Sequence, residues 1–287
     1  MKEKGSLKYN EIKPKRRVLD INIGEVWDYR DLLFLFVKRD FVSTYKQTIL
    51  GPVWFFIQPI FTTLIFSVIF GRLAELPTDG IPPFLFYLAG ITCWGYFSEC
   101  LTKTSNTFVS NSGLFGKVYF PRLILPLSTV SSNLLKFGVQ FLLFILCMLY
   151  YVFLKGLSIE MNYLVLLMPL LILMMGGLGL GLGLIVSSMT TKYRDLQFLI
   201  VFGVQLFMYA TPVVYPLSLA KEKLGDYDWV ASLNPMTSII ETFKYSFLGK
   251  GTFNWGDLGY SAGFIVVILI IGVITFNKVE RSFMDTV

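Results

Sequence analysis

"FPRLILPLSTVSSNLLKFGVQFLLFILCMLYYVFLK", residues 120–155, sets a proline and an arginine at the doorway of an apolar run. A proline cannot continue a helix from upstream, and an arginine is costly inside lipid. Between them and Phe137 the chain is half polar, with Ser128, Thr129, Ser131, Ser132, Asn133 and Lys136, and the apolar part begins only at Phe137. This predicts a helix that runs past the lipid into water. Pro121 suits its first turn, where the missing N–H would have no partner anyway. Arg122 then lies at the headgroups or on a protein surface, preceded by a short helix over about 104–117.

Composition places the whole chain in the same setting. Of 287 residues 54% are hydrophobic, only 15% are charged, and the mean hydropathy is +0.63. Those values describe a membrane protein. Apolar runs occupy 50–70, 83–97, 137–154, 163–187, 196–214 and 260–276. Most approach the roughly 20 residues that a helix needs to cross about 30 Å of hydrocarbon. Six spans are expected, the second and sixth being least defined at their ends. The first 48 residues are polar or amphipathic and the first run is of full span length, so no signal peptide is expected.

Charge orients the spans. Of the 25 Lys and Arg, 19 fall before the first span, in the 103–136 segment, at Lys192 and Arg194, and at Lys278 and Arg281. The excess of positive charge puts that side, with both termini, in the cytoplasm. Anionic headgroups there attract the basic run from Lys2 to Arg17, which accounts for a pI of 9.1 without nucleic acid.

The chain divides into a basic tail over 1–24, an amphipathic interface helix over 25–48 and a six-span region over 49–287. In the interface helix Phe34, Val37, Phe41 and Tyr45 recur at spacings of three and four opposite Arg39, Asp40, Ser43 and Lys46. Such a helix lies in the membrane surface, either as an anchor or as a collar that also touches a partner. Gly51 and Pro52 let the chain turn into the first span. Between spans five and six, "LNPMTSIIETFKYSFLG" (233–249) is helical in pattern, with Ile239, Ile240, Phe243 and Phe247 on one stripe, but too short and too charged to cross. A re-entrant or interface-lying pair of short helices fits it.

Little here can do covalent chemistry. The chain has no histidine, which excludes His-dependent catalysis and His-bound metals, and Cys93, Cys100 and Cys147 form no CxxC pair, so neither a disulfide framework nor a metal site is expected. "GGLGLGLGL" (176–184) follows no strand and lacks the P-loop Lys; its glycines four apart read as helix-packing positions. Glu99 is the main acidic residue near a span and reads as capped at an interface. The apolar cores lack the ionisable groups an ion-coupled carrier keeps there. A six-span protein with two distinctive cytoplasmic loops and no energy source should borrow energy from a partner.

In "RDLLFLFVKRDFVSTYKQTILGPVWFFIQP" (30–59), "NSGLFGKVYFPRLILPLS" (111–128), "KYRDLQ" (192–197) and "LNPM" (233–236), the chain resembles the type-2 ABC export permeases, and among them the exporters of O-antigen, capsule and teichoic acid. The likeness covers about residues 25–285. It implies an all-α integral membrane protein of the bacterial inner membrane, a homodimer of six-span subunits paired with two copies of a separate ATPase. Such a subunit is no enzyme and binds no cofactor itself; ATP and Mg belong to the ATPase. The implied substrate is a glycan on an undecaprenyl carrier.

The resemblance also implies roles. Asn111, Leu114, Lys117, Phe120, Pro121 and Arg122, with Arg39 and Lys46 of the interface helix, would dock the ATPase and pass its closure to the third span. The same residues also serve simply to start a helix and place positive charge inside. Trp54, Phe55, Trp94, Tyr96 and Phe97 are candidates to stack on sugar rings in a channel, an aromatic belt being the plainer reading of each. Met208, Tyr209, Pro235, Met236 and Phe243 are candidates for an outer gate. Two rival classes are a drug or lipid exporter of the same fold and a membrane enzyme acting on polyprenyl phosphate. Lys192, Arg194 and Asp195 are too few to make such an enzyme's site.

Overall fold

The computed structural model describes residues 23–46, 49, 51–115, 120–193 and 195–284; nearly all of the basic tail lies outside them. Among the described residues all regular structure is helical: α1 (Ile23–Asp28), α2 (Arg30–Tyr45), α3 (Trp54–Phe66), α4 (Pro83–Ser105), α5 (Thr107–Ser110), α6 (Ser112–Phe115), α7 (Ile124–Lys155), α8 (Met168–Thr190), α9 (Leu196–Tyr209), α10 (Leu217–Leu224), α11 (Asp228–Leu233), α12 (Pro235–Leu248) and α13 (Trp255–Met284). Among the described residues five helical segments are long and apolar enough to cross a bilayer: Gly51–Leu73, Pro83–Ser105, Ile124–Lys155, Tyr163–Thr190 and Trp255–Val279. The protein is a multi-pass membrane protein.

The expected fifth run, 196–214, is helical only to Tyr209. At 1.5 Å per residue its 14 residues rise about 21 Å, short of the ~30 Å of hydrocarbon. Pro212 is the physical reason, since it brings no N–H and biases the residue before it away from helix. Groups at that break find partners at the start of α12 and within it. The Asn234 amide donates to Ala210 O (3.4 Å) and to Thr211 Oγ1 (2.8 Å), and the Lys244 ammonium donates to Pro212 O (2.6 Å).

The doorway of the third span folds into a tighter start than its sequence predicts. α7 begins at Ile124, not Pro121; Pro121 and Arg122 form a turn in which their carbonyls accept from Ile124 N and Leu125 N at 3.0 and 3.2 Å. Pro126 occupies the first helical turn instead, where no N–H is missed. The short helix expected over 104–117 is split. α4 runs on to Ser105, and among the described residues up to 115 the single turns α5 and α6 follow. Gly51 does adopt the left-handed φ (+52°) that the turn into the first span calls for.

α8 lies at the centre of the packing, and its glycines explain how. Gly179 and Gly183 face α4, where an added Cβ would meet Cys100 Cβ and Thr104 Cβ at 2.6 and 2.5 Å. Gly177 and Gly181 face α13 instead, the latter 3.0 Å from the Leu269 backbone N by the same measure. Residues two apart on a helix point about 200° apart, so the two interleaved series serve two neighbours. Dispersion contacts between closely approaching backbones hold helices where lipid removes the hydrophobic drive. The outer faces of α3, α7 and α9 stay apolar and exposed, with Phe61, Leu64, Phe153 and Phe198, as hydrocarbon requires.

Of the expected stripe on α2, Val37 is half-buried, and a second, overlapping stripe meets the protein. Phe36 is buried, Leu32, Leu33 and Phe41 are half-buried, and Phe34 is 65% exposed. Helical spacing alone cannot say which of two overlapping apolar stripes meets protein and which meets lipid.

Candidate functional site

Five helices converge at the basic end of the bundle. Phe36 of α2, Phe108 of α5, Phe120, Ile124 and Leu125 at the start of α7, Leu184 of α8 and Phe276 of α13 form one buried cluster, separate from the main core. The Phe36 and Phe120 rings lie 5.8 Å apart at 59°, and Phe108 stacks on Phe276 at 4.5 Å. Such ring pairs add about 0.5–1.5 kcal/mol to the stabilisation from burial. The Arg39 guanidinium sits 4.6 Å from the centre of the Phe36 ring and pairs with Asp40 at 2.8 Å. Arg122 is buried in the same region.

The geometry thus joins Arg39 to Phe120 through Phe36, a residue absent from the sequence-based candidates. Phe36 lies on the face opposite the more conspicuous Phe34, and its partner is 84 positions away, so no local pattern marks it. Asn111 and Leu114 lie half-buried in the neighbouring single turns, with the Asn111 amide donating to Thr107 O (3.0 Å) and Leu114 N to Asn111 O (2.9 Å). Lys117 falls outside the described residues. Lys46 is exposed beyond the end of α2, seven residues from Arg39 and so about 10 Å along the axis. Side chains packed at interior density leave such a junction little slack.

The aromatic candidates separate by exposure. Trp54 is half-exposed, whereas Phe55, Trp94, Tyr96 and Phe97 are buried in the subunit. Trp94 packs on Phe97 (5.2 Å) and Phe207 (5.8 Å), and Tyr96 on Phe137 (5.2 Å). At the far end Pro235, Met236 and Phe243 are also buried, Phe243 against Phe144 (5.2 Å) and Phe247 (4.9 Å). Met208 is half-buried, and Tyr209 lies half-exposed at the end of α9. At the turn between α8 and α9, Lys192 and Asp195 are exposed, and Arg194 lies outside the described residues.

Two charged groupings go beyond the sequence-based candidates. In α12, Glu241 and Lys244 are both buried, three residues apart, at 3.4 Å; the Lys244 ammonium also lies 3.7 Å from the centre of the Phe86 ring. The i, i+3 spacing of opposite charges in an apolar helix is a readable signal. The second grouping links α4 to α7: Glu99 pairs with both Lys136 and Lys103, and Lys103 donates to Asn133 Oδ1 at 2.8 Å. Glu99 is thus capped by two ammonium groups, one on its own helix and one on α7. Among the described residues no three His, Cys, Asp or Glu side chains are grouped to hold a metal ion.

Known proteins place the chain in the same setting. The sequence profile of the ABC-2 type transporter family matches residues 31–248. The chain is 26–27% identical over 266 residues to two proteins of Klebsiella pneumoniae named O-antigen export system permease protein RfbA, covering 92% of this chain and 96% of each relative. A protein of the same name from Myxococcus xanthus is 27% identical over 92% of this chain and 98% of its own length. With a match that takes in nearly all of α2, the Phe-Pro-Arg turn and α12, the chain belongs to the ABC-2 type transporter family.

Proposed function

We propose that this protein is the permease subunit of an ATP-driven exporter that moves lipid-linked polysaccharide, foremost O-antigen, from the inner to the outer leaflet of the cytoplasmic membrane. The observation that carries the reading is full-length similarity to permeases named for O-antigen export. Two copies of the chain enclose the path, and two copies of a separate ATPase, holding ATP and Mg, drive it. Each subunit crosses the membrane six times, with α9 as a short fifth span, and both termini face the cytoplasm, in keeping with the bias of Lys and Arg.

The ATPase docks on α2 and α5–α6. Its closure passes through Phe36, Phe120 and Arg122 to the 32-residue lever of α7. Trp54 offers its ring to the glycan, and Phe55, Trp94, Tyr96 and Phe97 shape the wall behind it. Met208 and Tyr209 form the moving part of the outer gate, and Pro235, Met236 and Phe243 its fixed frame.

The test is the ATPase activity of the purified complex of permease and ATPase. Lipid-linked glycan is expected to stimulate it, and stimulation by small amphiphiles alone would instead indicate a drug or lipid exporter. The junction makes a further prediction. Phe120→Ala and Arg122→Ala should leave the subunit in the membrane and basal ATP hydrolysis in place while export falls by about 2- to 30-fold, the effect of losing roughly 0.5–2 kcal/mol of coupling. Glycan at the cell surface measured against ATP turnover checks it; normal export by both variants would remove the lever.

A further inference from the structure

α4 is enclosed on most of its circumference, with Trp94, Phe97, Cys100 and Leu101 inside. Toward the basic end its remaining, partly open side reads Gly95, Ser98, Glu99, Thr102, Lys103 and Asn106. No large apolar side chain lies on that stretch. Ser98 and Thr102 donate to carbonyls of their own helix, but hydrocarbon would penalise Glu99, Lys103 and Asn106, so the strip meets water, headgroups or protein.

Opposite it α7 presents Asn133, Lys136 and Gln140 at spacings of three and four. The Lys136 ammonium donates to Glu99 Oε1 and lies 5.7 Å from the centre of the Phe55 ring. The Lys103 ammonium donates to Asn133 Oδ1 and lies 3.3 Å from Glu99 Oε2, with its side chain 49% exposed. Two ammonium groups thus share one carboxylate. Counted from Pro83 at the outer end of α4, Glu99 lies about 24 Å and Lys103 about 30 Å along the axis, at the inner edge of the hydrocarbon.

We propose that Lys103 and Lys136, held in place by Glu99 and Asn133, bind the diphosphate that joins the glycan to its lipid carrier; this rests on the export reading above. Glu99 sets the two cations side by side without cancelling both, and Asn133 fixes the more exposed one. Each ammonium carries three donors, of which the contacts just named occupy at most two, so both can also donate to phosphate oxygens. Trp54, half-exposed beside Phe55, supplies an amphipathic ring at headgroup depth. A diphosphate seated here leaves the prenyl chain in the inner leaflet and aims the sugar along the polar strip of α4.

The test is titration of the complete permease–ATPase complex, in phosphatidylcholine nanodiscs, with an unglycosylated polyprenyl diphosphate. Lys103→Gln should weaken binding by about tenfold, as for loss of a charge-assisted hydrogen bond. Glu99→Gln, which removes the competing negative charge, should tighten it by roughly threefold or more. Lys103→Arg should keep binding close to wild type, which covers the case in which Lys103→Gln fails to assemble. A network that only joins helices predicts weaker or unchanged binding in both Lys103→Gln and Glu99→Gln, and either pattern overturns the proposal. Displacement of the diphosphate by an equal amount of phosphatidylglycerol would overturn the assignment to the carrier. Undisturbed glycan export in a complex that binds no diphosphate would sink this site alone, leaving the export reading intact.

Discussion

Lys244→Met should abolish accumulation of folded protein in the membrane. The ammonium it removes is 1% exposed and meets three groups at once: Glu241 Oε1 at 3.4 Å, Pro212 O at 2.6 Å and the Phe86 ring at 3.7 Å. Removing one member of a buried ion pair costs about 3–5 kcal/mol, because the other charge is left uncompensated. That is a large share of the roughly 5–15 kcal/mol that typically separates folded from unfolded protein. The substitution also frees the Pro212 carbonyl just beyond α9, so the turn at 210–214 keeps only Asn234 as its anchor at α12. Glu241→Gln combined with Lys244→Met should recover part of the yield of monodisperse, detergent-extracted protein, since no charge then remains unpaired. Equal yield from Lys244→Met and wild type would show that the pair carries no stability.

Gly183→Val should be nearly as damaging, for steric reasons. The new Cβ alone would lie 2.5 Å from Thr104 Cβ and 3.1 Å from Leu101 O, and neither α4 nor α8 can yield without moving as a body. Overpacking in a core typically costs about 1–3 kcal/mol, and the weaker dispersion attraction along a separated helix pair adds to it. Gly138→Val is the control, because a Cβ at Gly138 meets nothing within 4 Å. Thermal unfolding in detergent should place Gly183→Val well below Gly138→Val, which should stay near wild type.

The spans are legible in the sequence where periodicity and length agree, as in α7 and α8, because hydrocarbon thickness leaves a helix few alternatives. Their ends are less so. The pattern points to Pro121 as the start of α7, yet the helix starts at Ile124, since a proline suits the turn before a helix as well as its first turn. The run 196–214 reads as one apolar stretch, yet Pro212 ends the helix at Tyr209, and hydrogen bonds from residues 23 and 32 positions away stabilise the break. The glycines four apart correctly signal close approach, but not that alternate ones serve different helices. At the junction, Phe120 and Arg122 stand out by their place beside a proline, whereas Phe36 does not. Nor does the pairing of Glu99 with Lys136, 37 positions apart, leave a local trace.

What the cell exports is the plainest readout of the function proposed above. Deletion of the gene, followed by assay of lipid-linked polysaccharide in the inner membrane against glycan at the cell surface, measures this without purification. The expected result is accumulation of the lipid-linked polymer inside with its loss outside, both reversed by the intact gene and not by a copy carrying Phe120→Ala and Arg122→Ala together. Unchanged surface glycan in the deletion strain would refute polysaccharide export, leaving a transporter of the same fold with a different cargo.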